Sequence, residues 1–325
     1  MELRRFIIKR FVQVIIIFFI ILTALFFLFR MAPGDPVSRM VDPTMTAEDI
    51  ARLISQLGLD KPLWKQYLIY LKNFLMGQFG HSFHYGKPVV QIIWERLPNT
   101  ILLFTTSIIL SALVGISWGK IASWHKGRKL DIFLTLGSLV THTFFLPWLA
   151  LILIWIFAYK LEWFPITGMI SEEVWLDPSS GFWAKSIDVV HHMILPLSTL
   201  FLIHFGSYLL IMRSSMLDTL KEDYILTARA KGLTEKEIRN HHAAPNASLP
   251  VITSVGLSLA FSINGGALTE TVFTWPGIGR ELVFAVSHND YPLAQASFLL
   301  IAIVVLLSNL VVDVLYAYLD PRIRY

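Results

Sequence analysis

Residues 218–250 read DTLKEDYILTARAKGLTEKEIRNHHAAPNASLP, a polar and charged stretch between two long apolar runs. Residues 224–231 are good helix formers, and Gly232 follows them where a helix commonly ends in a left-handed cap. Thr234 and Glu237 have the spacing of a capping box, in which each side chain bonds the backbone N–H of the other residue. The pattern predicts two short helices joined by a tight turn.

Further residues frame the second of these helices. Leu233 before the cap and Ile238 after it occupy the positions of a hydrophobic staple. Pro245 and Pro250 are predicted to limit the helix, because proline has no backbone N–H to donate. We call residues 213–250 the knuckle. Its local pattern fits a solvated helical linker as well as a surface presented to a soluble partner.

Composition places the whole chain in a membrane. Of its 325 residues, 55% are hydrophobic and only 15% are charged, with a mean hydropathy of +0.60. Soluble domains average about 25% charged residues. The chain has no cysteine, which excludes disulfides, thiolate metal sites and cysteine nucleophiles. The net charge of +4 does not indicate nucleic acid, because the basic residues cluster beside apolar runs.

Six apolar runs predict an all-α membrane protein with six transmembrane helices. The predicted spans are residues 11–29, 100–121, 132–158, 193–212, 251–269 and 293–319. Pro147 is expected to kink the third span, and Pro196 to lie in the first turn of the fourth. The pair Gly115 and Gly119 forms a GxxxG pattern that predicts close packing against another helix.

The charge of the short loops predicts the topology, because cytoplasmic loops are rich in Lys and Arg. Basic residues precede the first span, follow the second at residues 125–129, and recur through the knuckle. Residues 160–192 are acidic and are expected outside. The predicted domains are a retained N-terminal anchor at 1–30, an extracellular helical insertion at 31–99, a transmembrane domain at 100–319 and a cytoplasmic tail at 320–325. Within the insertion, helices are predicted to start near Thr46 and Pro62.

Polar residues in the fifth span mark a candidate polar path. Polar atoms at bilayer depth are costly unless they face a cavity or a partner helix. Asn264 and Glu270 are our candidates for the translocation path or its gate. Helix–helix packing through small residues explains the same pattern equally well. His191 and His192 are adjacent, so a shared metal ion is a weaker interpretation than an interfacial or solvated pair.

Several catalytic motifs are missing from the sequence. It contains no GxxxxGK[ST] phosphate loop, GxSxG elbow, HExxH pair or dinucleotide fingerprint. We therefore expect a chain that is not an enzyme and does not hydrolyse ATP. If it pumps a solute, the energy must arrive through a partner, and the knuckle is the place where a partner could act.

The string TARAKGLTEKEI…HAAPNASLPVI resembles the cytoplasmic EAA loop of binding-protein-dependent ABC importer permeases, in the dipeptide/oligopeptide branch. In that family the loop is a coupling helix that docks into a cleft of the ATPase subunit. Ala228, Ala230 and Gly232 match its Ala-x-Ala-x-Gly core. The later positions are matched by His242, Asn246 and Pro250. The glutamate that names the motif is absent, and Leu226 or Thr227 stands about there.

The resemblance covers essentially the whole chain, including PGDP at 33–36, residues 57–83 and 86–100, and NGGALTETVFTWPGIG at 264–279. It implies the type I ABC importer transmembrane-domain fold and a permease subunit of an ATP-driven importer of dipeptides or oligopeptides. The ATPase-coupling residues that it implies are Ala228, Arg229, Ala230, Lys231, Gly232, Leu233, Thr234 and Glu237.

The implied partners are a second homologous permease, two ATPase subunits that bind ATP and Mg, an extracellular substrate-binding protein and the bilayer. No cofactor is expected in this chain, and the implied location is the prokaryotic inner membrane with both termini cytoplasmic. Dipeptides, oligopeptides, nickel chelates and oligosaccharides stay open as cargo. An ion-gradient-driven secondary transporter is the alternative function. Such a transporter is expected to have internal repeats and paired intramembrane carboxylates, whereas here Glu270 is the one strong carboxylate candidate and no convincing repeat is visible. A membrane-embedded enzyme or assembly factor is a third interpretation.

Overall fold

The structure is a computed structural model that describes residues 2–31, 61–262 and 266–319. Apart from one bridge between His81 and Pro88, the regular structure of these residues is helical. The chain forms two compact units. The first unit comprises Met1–Pro98 with Ile278–Tyr325, and the second comprises Asn99–Gly277.

The helices follow one another along the chain with short connections. They are α1 (Glu2–Met31), α2 (Leu63–Leu75), α3 (Val89–Trp124), α4 (Lys129–Thr143), α5 (Leu146–Leu153, continued by π-helical turns Ile154–Lys160), α6 (Glu172–Leu176), α7 (Phe182–Thr219), α8 (Asp223–Ala230), α9 (Glu235–Glu237, continued by π-helical turns Ile238–Ala243), α10 (Ala244–Phe261), α11 (Ala267–Val272), α12 (Ile278–Ser287) and α13 (Tyr291–Leu319).

Five helical segments of the described residues are long and apolar enough to cross a membrane. They are Ile7–Met31, Val89–Trp124, Phe182–Thr219, Glu235–Phe261 and Tyr291–Val311. The bent pair Lys129–Thr143 and Leu146–Lys160 would supply a sixth span. The prediction of an all-α membrane protein is therefore confirmed, with five to six candidate spans.

The sequence predicted that the third span is one helix kinked at Pro147, and the structure differs from this prediction. Helices α4 and α5 meet at 103°, with Phe144 in an extended conformation between them. Pro147 lies in the first turn of α5, where its missing N–H costs nothing. The proline therefore begins a new helix instead of bending an old one.

Other prolines also lie where the sequence did not place them. Pro245 and Pro250 were expected to limit the second helix of the knuckle, but the helical segment Glu235–Phe261 runs through both of them. Pro196 lies well inside α7 rather than in its first turn, because α7 begins at Phe182. In membrane helices the backbone groups that a proline frees can be satisfied by neighbouring helices and hydroxyl side chains.

The bounds of several predicted spans also differ from the structure, and the fourth, predicted at 193–212, extends over Phe182–Thr219. Helix α3 begins at Val89 instead of residue 100, so its first turns belong to the segment assigned to the insertion. The predicted fifth span at 251–269 is divided between α10 and α11. The helix predicted from Thr46 lies outside the described residues, whereas the one predicted from Pro62 is α2.

In the first unit, α1 runs antiparallel to α13. Arg10 near one end of α1 pairs with Asp313 at 3.3 Å, and the ring of Phe29 near the other end lies 5.9 Å from that of Tyr291. Helix α2 packs on α1 through Tyr67, whose hydroxyl lies 2.7 Å from the hydroxyl of Thr23.

In the second unit, glycines let α3 approach α7 closely. A Cβ atom on Gly115 would lie 2.8 Å from the Cβ of Tyr208, and one on Gly119 would lie 2.6 Å from the Cβ of Met212. Real Cβ atoms do not come this close, so each position requires glycine. The predicted close packing at GxxxG is confirmed.

Candidate functional site

The turn of the knuckle is built around Gly232. Its φ of +77° lies in the left-handed region that residues with a Cβ rarely adopt. Its N–H donates to the carbonyl of Arg229 at 2.9 Å, which closes the end of α8. A Cβ here would meet no atom within 4 Å, so the requirement for glycine comes from the backbone and not from space. The predicted cap is confirmed.

The capping box predicted at the start of α9 is also confirmed. The N–H of Glu237 donates to Thr234 Oγ1 at 3.3 Å, and the N–H of Thr234 donates to Glu237 Oε2 at 2.8 Å. Two N–H groups that a helix start leaves unpaired are thus satisfied by side chains. The second helix therefore starts at a fixed residue.

The inner face of the knuckle joins the largest hydrophobic cluster of the second unit. The buried members of this cluster include Met212, Met216, Ile225, Ala228, Ile238, Ala243 and Val251. Leu233 packs against the same cluster, which contains its staple partner Ile238. The cluster links both knuckle helices to α7 and α10, so the knuckle is packed against the ends of two long helices and is not an independent linker.

Polar contacts tie the two sides of the knuckle together. The amide of Asn246 donates to the hydroxyl of Tyr224 at 2.9 Å, and that hydroxyl donates to the carbonyl of His242 at 3.4 Å. Two positions that match the family, the side chain of Asn246 and the backbone carbonyl of His242, are therefore both hydrogen-bonded to Tyr224. The guanidinium of Arg239 lies 5.4 Å from the ring centre of Trp124, which adds a contact to the end of α3.

An ion pair that the sequence analysis did not find lies at the base of the knuckle. Asp131 is almost fully buried and accepts hydrogen bonds from Arg213, the backbone N–H of Gly127 and the hydroxyl of Thr135. Nothing in the local pattern reveals this contact, because 82 residues separate the two charged partners. The pair joins the start of α4 to the last turns of α7.

The predicted coupling residues divide between two faces. Ala228 is buried and Leu233 is half-buried, so both support the packing. Six are exposed: Arg229, Ala230, Lys231, Gly232, Thr234 and Glu237. Leu226 is also exposed, at 67%, although it is a large apolar side chain on α8. The sequence analysis singled out Leu226 only as a position near the missing glutamate.

Glu270 lies in the interior of the second unit. Its side chain is fully buried, and its Oε1 accepts a hydrogen bond from the hydroxyl of Thr100 at 2.7 Å. Gly277 lies so close to this carboxylate that a Cβ there would overlap it. Asn264 lies outside the described residues. That Glu270 and Asn264 line the translocation path or form its gate stays a prediction.

The two adjacent histidines have different partners. His191 contacts the carbonyl of Trp163 through Nε2 at 2.9 Å, whereas His192 lies 3.4 Å from a carboxylate oxygen of Asp188. Asp188 in turn accepts hydrogen bonds from the backbone and hydroxyl of Ser171. Within residues 2–31, 61–262 and 266–319, no group of three or more His, Asp or Glu side chains is arranged to hold a metal ion.

Comparisons with known proteins agree along the whole chain. Residues 111–325 match the family described as "Binding-protein-dependent transport system inner membrane component", and residues 3–104 match its N-terminal region, "Binding-prot-dependent transport system membrane comp, N-term".

Three curated relatives are similar over more than nine-tenths of both chains. A "Dipeptide transport system permease protein" of Escherichia coli strain K12 is 39% identical over 336 residues, covering 99% of each chain. An "Oligopeptide transport system permease protein" of Bacillus subtilis is 38% identical over 301 residues, covering 92% of this chain and 93% of the relative. A "Probable peptide ABC transporter permease protein" of Sinorhizobium fredii is 38% identical over 320 residues, covering 98% and 99%.

Proposed function

The chain belongs to the binding-protein-dependent transport system inner membrane components and is the permease subunit of an ATP-driven importer, and we propose that its cargo is a dipeptide or an oligopeptide. The names of the relatives support this choice of cargo. Nickel chelates and oligosaccharides have no such support, and none of the relatives described above is named as a gradient-driven transporter.

The observation that carries the proposal is the rigid construction of the knuckle. Left-handed Gly232, the Thr234–Glu237 capping box and the buried inner face hold the short helix α8 in a fixed orientation against α7 and against the start of the continuous helical segment Glu235–Phe261. A segment that must transmit force needs this rigidity, whereas a linker does not. We infer that ATPase subunits bind the exposed residues of α8 and of the turn that follows it.

The proposed mechanism is a shift between two packings of the permease. A member of this family works with a substrate-binding protein and ATPase subunits. We propose that two ATPases, with ATP and Mg, close together and pull on the knuckles of this chain and of a second homologous permease. ATP and the loaded binding protein would both favour the outward-open packing, which accepts cargo.

The proposed orientation follows from the loop charges. The chain is a multi-pass membrane component. We propose that its termini and the knuckle are cytoplasmic, and that residues 31–99 and 160–192 lie outside. The knuckle contributes Lys221, Arg229, Lys231, Lys236 and Arg239, which is the excess that the positive-inside rule associates with the cytoplasm.

For the path, we propose that Asn264 and Glu270 act at the gate. The burial of Glu270 favours a gate over direct contact with cargo, because its carboxylate is turned towards Thr100 and Gly277. Replacing Glu270 by Gln should then lower the maximal rate of uptake more than the apparent affinity for cargo. A change confined to the apparent affinity would instead indicate a cargo contact.

One introduced cysteine tests the coupling proposal, since the chain has none of its own. Leu226→Cys places a thiol on the exposed face of α8, and Leu176→Cys is a matched control at 78% exposure on α6. In the assembled importer, Leu226→Cys should cross-link to an ATPase subunit. In vesicles that contain the permease without its ATPases, a membrane-impermeant maleimide should label Leu226→Cys only when the vesicles are inside-out. Leu176→Cys should show the reverse labelling and no such cross-link. Labelling of Leu226→Cys from the outside contradicts the proposal.

A further inference from the structure

Two arginines mark the ends of the apolar run in α1. Arg10 and Arg30 are 20 residues apart, and no charged residue lies between them. At 1.5 Å per residue this separation is about 30 Å, which equals the thickness of the hydrocarbon core of a bilayer. We therefore expect the two guanidinium groups at opposite interfaces, near the depth of the lipid headgroups.

The two arginines differ in their partners. Arg10 pairs with Asp313 at 3.3 Å. Arg30 is half-buried, and its guanidinium lies 5.8 Å from the ring centre of Phe26. Within the described part of the chain, no carboxylate lies within ion-pair distance of Arg30. A half-buried guanidinium is stabilised by any anion or hydrogen-bond acceptor that reaches it.

Arg30 lines a cavity of about 200 Å³ in the first unit, formed by the end of α1, by α2 and the loop after it, and by the start of α13. The lining is mostly apolar, and the polar side chains that face the cavity together with Arg30 are Tyr70, Asn73, Gln78, Tyr291 and Gln295. Drug-sized ligands occupy pockets of about 300–1,000 Å³, so this cavity suits a smaller group.

The exposed face of α2 has the pattern of a helix that contacts a membrane surface. Trp64, Leu68 and Leu75 lie on one stripe of this helix and are exposed, flanked by Lys65 and Lys72. An apolar stripe with an aromatic anchor and flanking lysines is typical of helices that lie in a membrane interface and favour anionic lipids. The opposite face of α2 carries Tyr70 towards the cavity.

We propose that the cavity at Arg30 binds the phosphodiester headgroup of an anionic phospholipid. The planar guanidinium matches two phosphate oxygens, and the amide side chains can donate to the others. The apolar stripe of α2 would face the acyl region of the same leaflet. The site is separate from the knuckle and does not depend on the cargo of the importer.

The test uses the complete importer, stripped of lipid in detergent and then titrated with phosphatidylglycerol, phosphatidylethanolamine or inorganic phosphate. Native mass spectrometry measures the lipid that stays bound. The parent protein should retain phosphatidylglycerol in preference to the zwitterionic lipid. Arg30→Gln should weaken this retention about tenfold, the factor expected when a hydrogen bond to a charged group is lost. Arg30→Lys should restore most of it.

Two controls keep the test decisive. Lys126→Gln removes an exposed charge from the turn before α4 and should leave lipid retention unchanged. If Arg30→Gln fails to assemble, Ala296→Leu fills the cavity from a buried wall position while keeping Arg30, and it should cause the same loss. Equal retention of phosphatidylglycerol by the parent and both cavity variants overturns the proposal. Inorganic phosphate binding as tightly as the lipid also overturns it.

Discussion

The guanidinium of Arg213 donates two hydrogen bonds to the carboxylate of Asp131, from Nε at 2.5 Å and from Nη2 at 2.8 Å. Because Asp131 lies in the first turn of α4 and Arg213 lies near the end of α7, the pair fixes the base of the knuckle to a neighbouring helix. The Asp131 side chain is only 3% exposed, so water screens this pair weakly.

Removing one partner of this pair should destabilise the second unit strongly. Asp131→Ala leaves the Arg213 guanidinium without its main acceptor. Because Arg213 is 25% exposed, we expect a cost near or below the lower end of the range of about 3–5 kcal/mol for fully buried pairs. Thermal unfolding of the purified permease measures the change. The exposed pair of Asp218 and Lys221 is the control, and Asp218→Ala should change stability by less than about 1 kcal/mol. Similar shifts for both variants would show that the buried pair has no special role.

The conformation of Gly232 makes a prediction about the turn itself. A left-handed backbone costs an ordinary residue about 1–2 kcal/mol, whereas Asn tolerates it better. Gly232→Ala should therefore increase hydrogen exchange across 228–238, and Gly232→Asn should have a smaller effect. Gly256→Ala is the control, because this glycine lies within α10 and a Cβ there meets no atom within 4 Å. Equal exchange in Gly232→Ala and the parent would contradict the role of the backbone.

The capping box should behave as one unit. Thr234→Ala and Glu237→Ala each remove one of the two reciprocal hydrogen bonds, and loss of an N-cap typically costs about 1 kcal/mol. In a double-mutant cycle, we expect the double variant to cost less than the sum of the single variants, because either change breaks the box. Strict additivity, measured by hydrogen exchange of 235–243, would show that the two residues act independently.

Close packing of α3 on α7 should not tolerate a side chain at Gly119. Gly119→Val places a Cβ against the side chain of Met212 and the carbonyl of Leu209, and such overpacking typically costs about 1–3 kcal/mol. We expect a lower melting temperature for the assembled permease. Gly137→Ala on α4 is the matched control, since its Cβ would meet no atom within 4 Å. A normal melting temperature for Gly119→Val would mean that α3 and α7 do not pack as described.

The sequence predicts local structure well where one short segment contains all the determinants. The turn at Gly232 and the box at Thr234 and Glu237 depend on neighbours in the chain, and both were predicted correctly. The family resemblance likewise depends on short strings. The prolines were less informative, because Pro147 begins a helix and Pro250 lies inside one. Their effect depends on which tertiary partners satisfy the freed backbone groups.

Contacts between distant segments could not be predicted. Asp131 and Arg213 are 82 residues apart, and Thr100 and Glu270 are 170 residues apart. Glu270 was predicted to line a polar path because a carboxylate in a span is costly, and its hydrogen bond from Thr100 is a contact that the sequence did not reveal. Its place in the path stays a prediction. The cost of placing a carboxylate in a span can be offset by a polar path or by an internal hydrogen-bond donor. The sequence does not distinguish these two arrangements, because both depend on three-dimensional packing.

The central claim, that force enters this permease through the knuckle, is tested most directly by ATP-driven peptide uptake in proteoliposomes. The complete importer is compared with variants carrying Gly232→Val or Gly256→Ala, each first shown to insert and to bind its ATPase partners. We predict that Gly232→Val keeps ATP hydrolysis but loses most peptide uptake, and that Gly256→Ala transports normally. Full uptake per ATP hydrolysed by Gly232→Val would contradict the account.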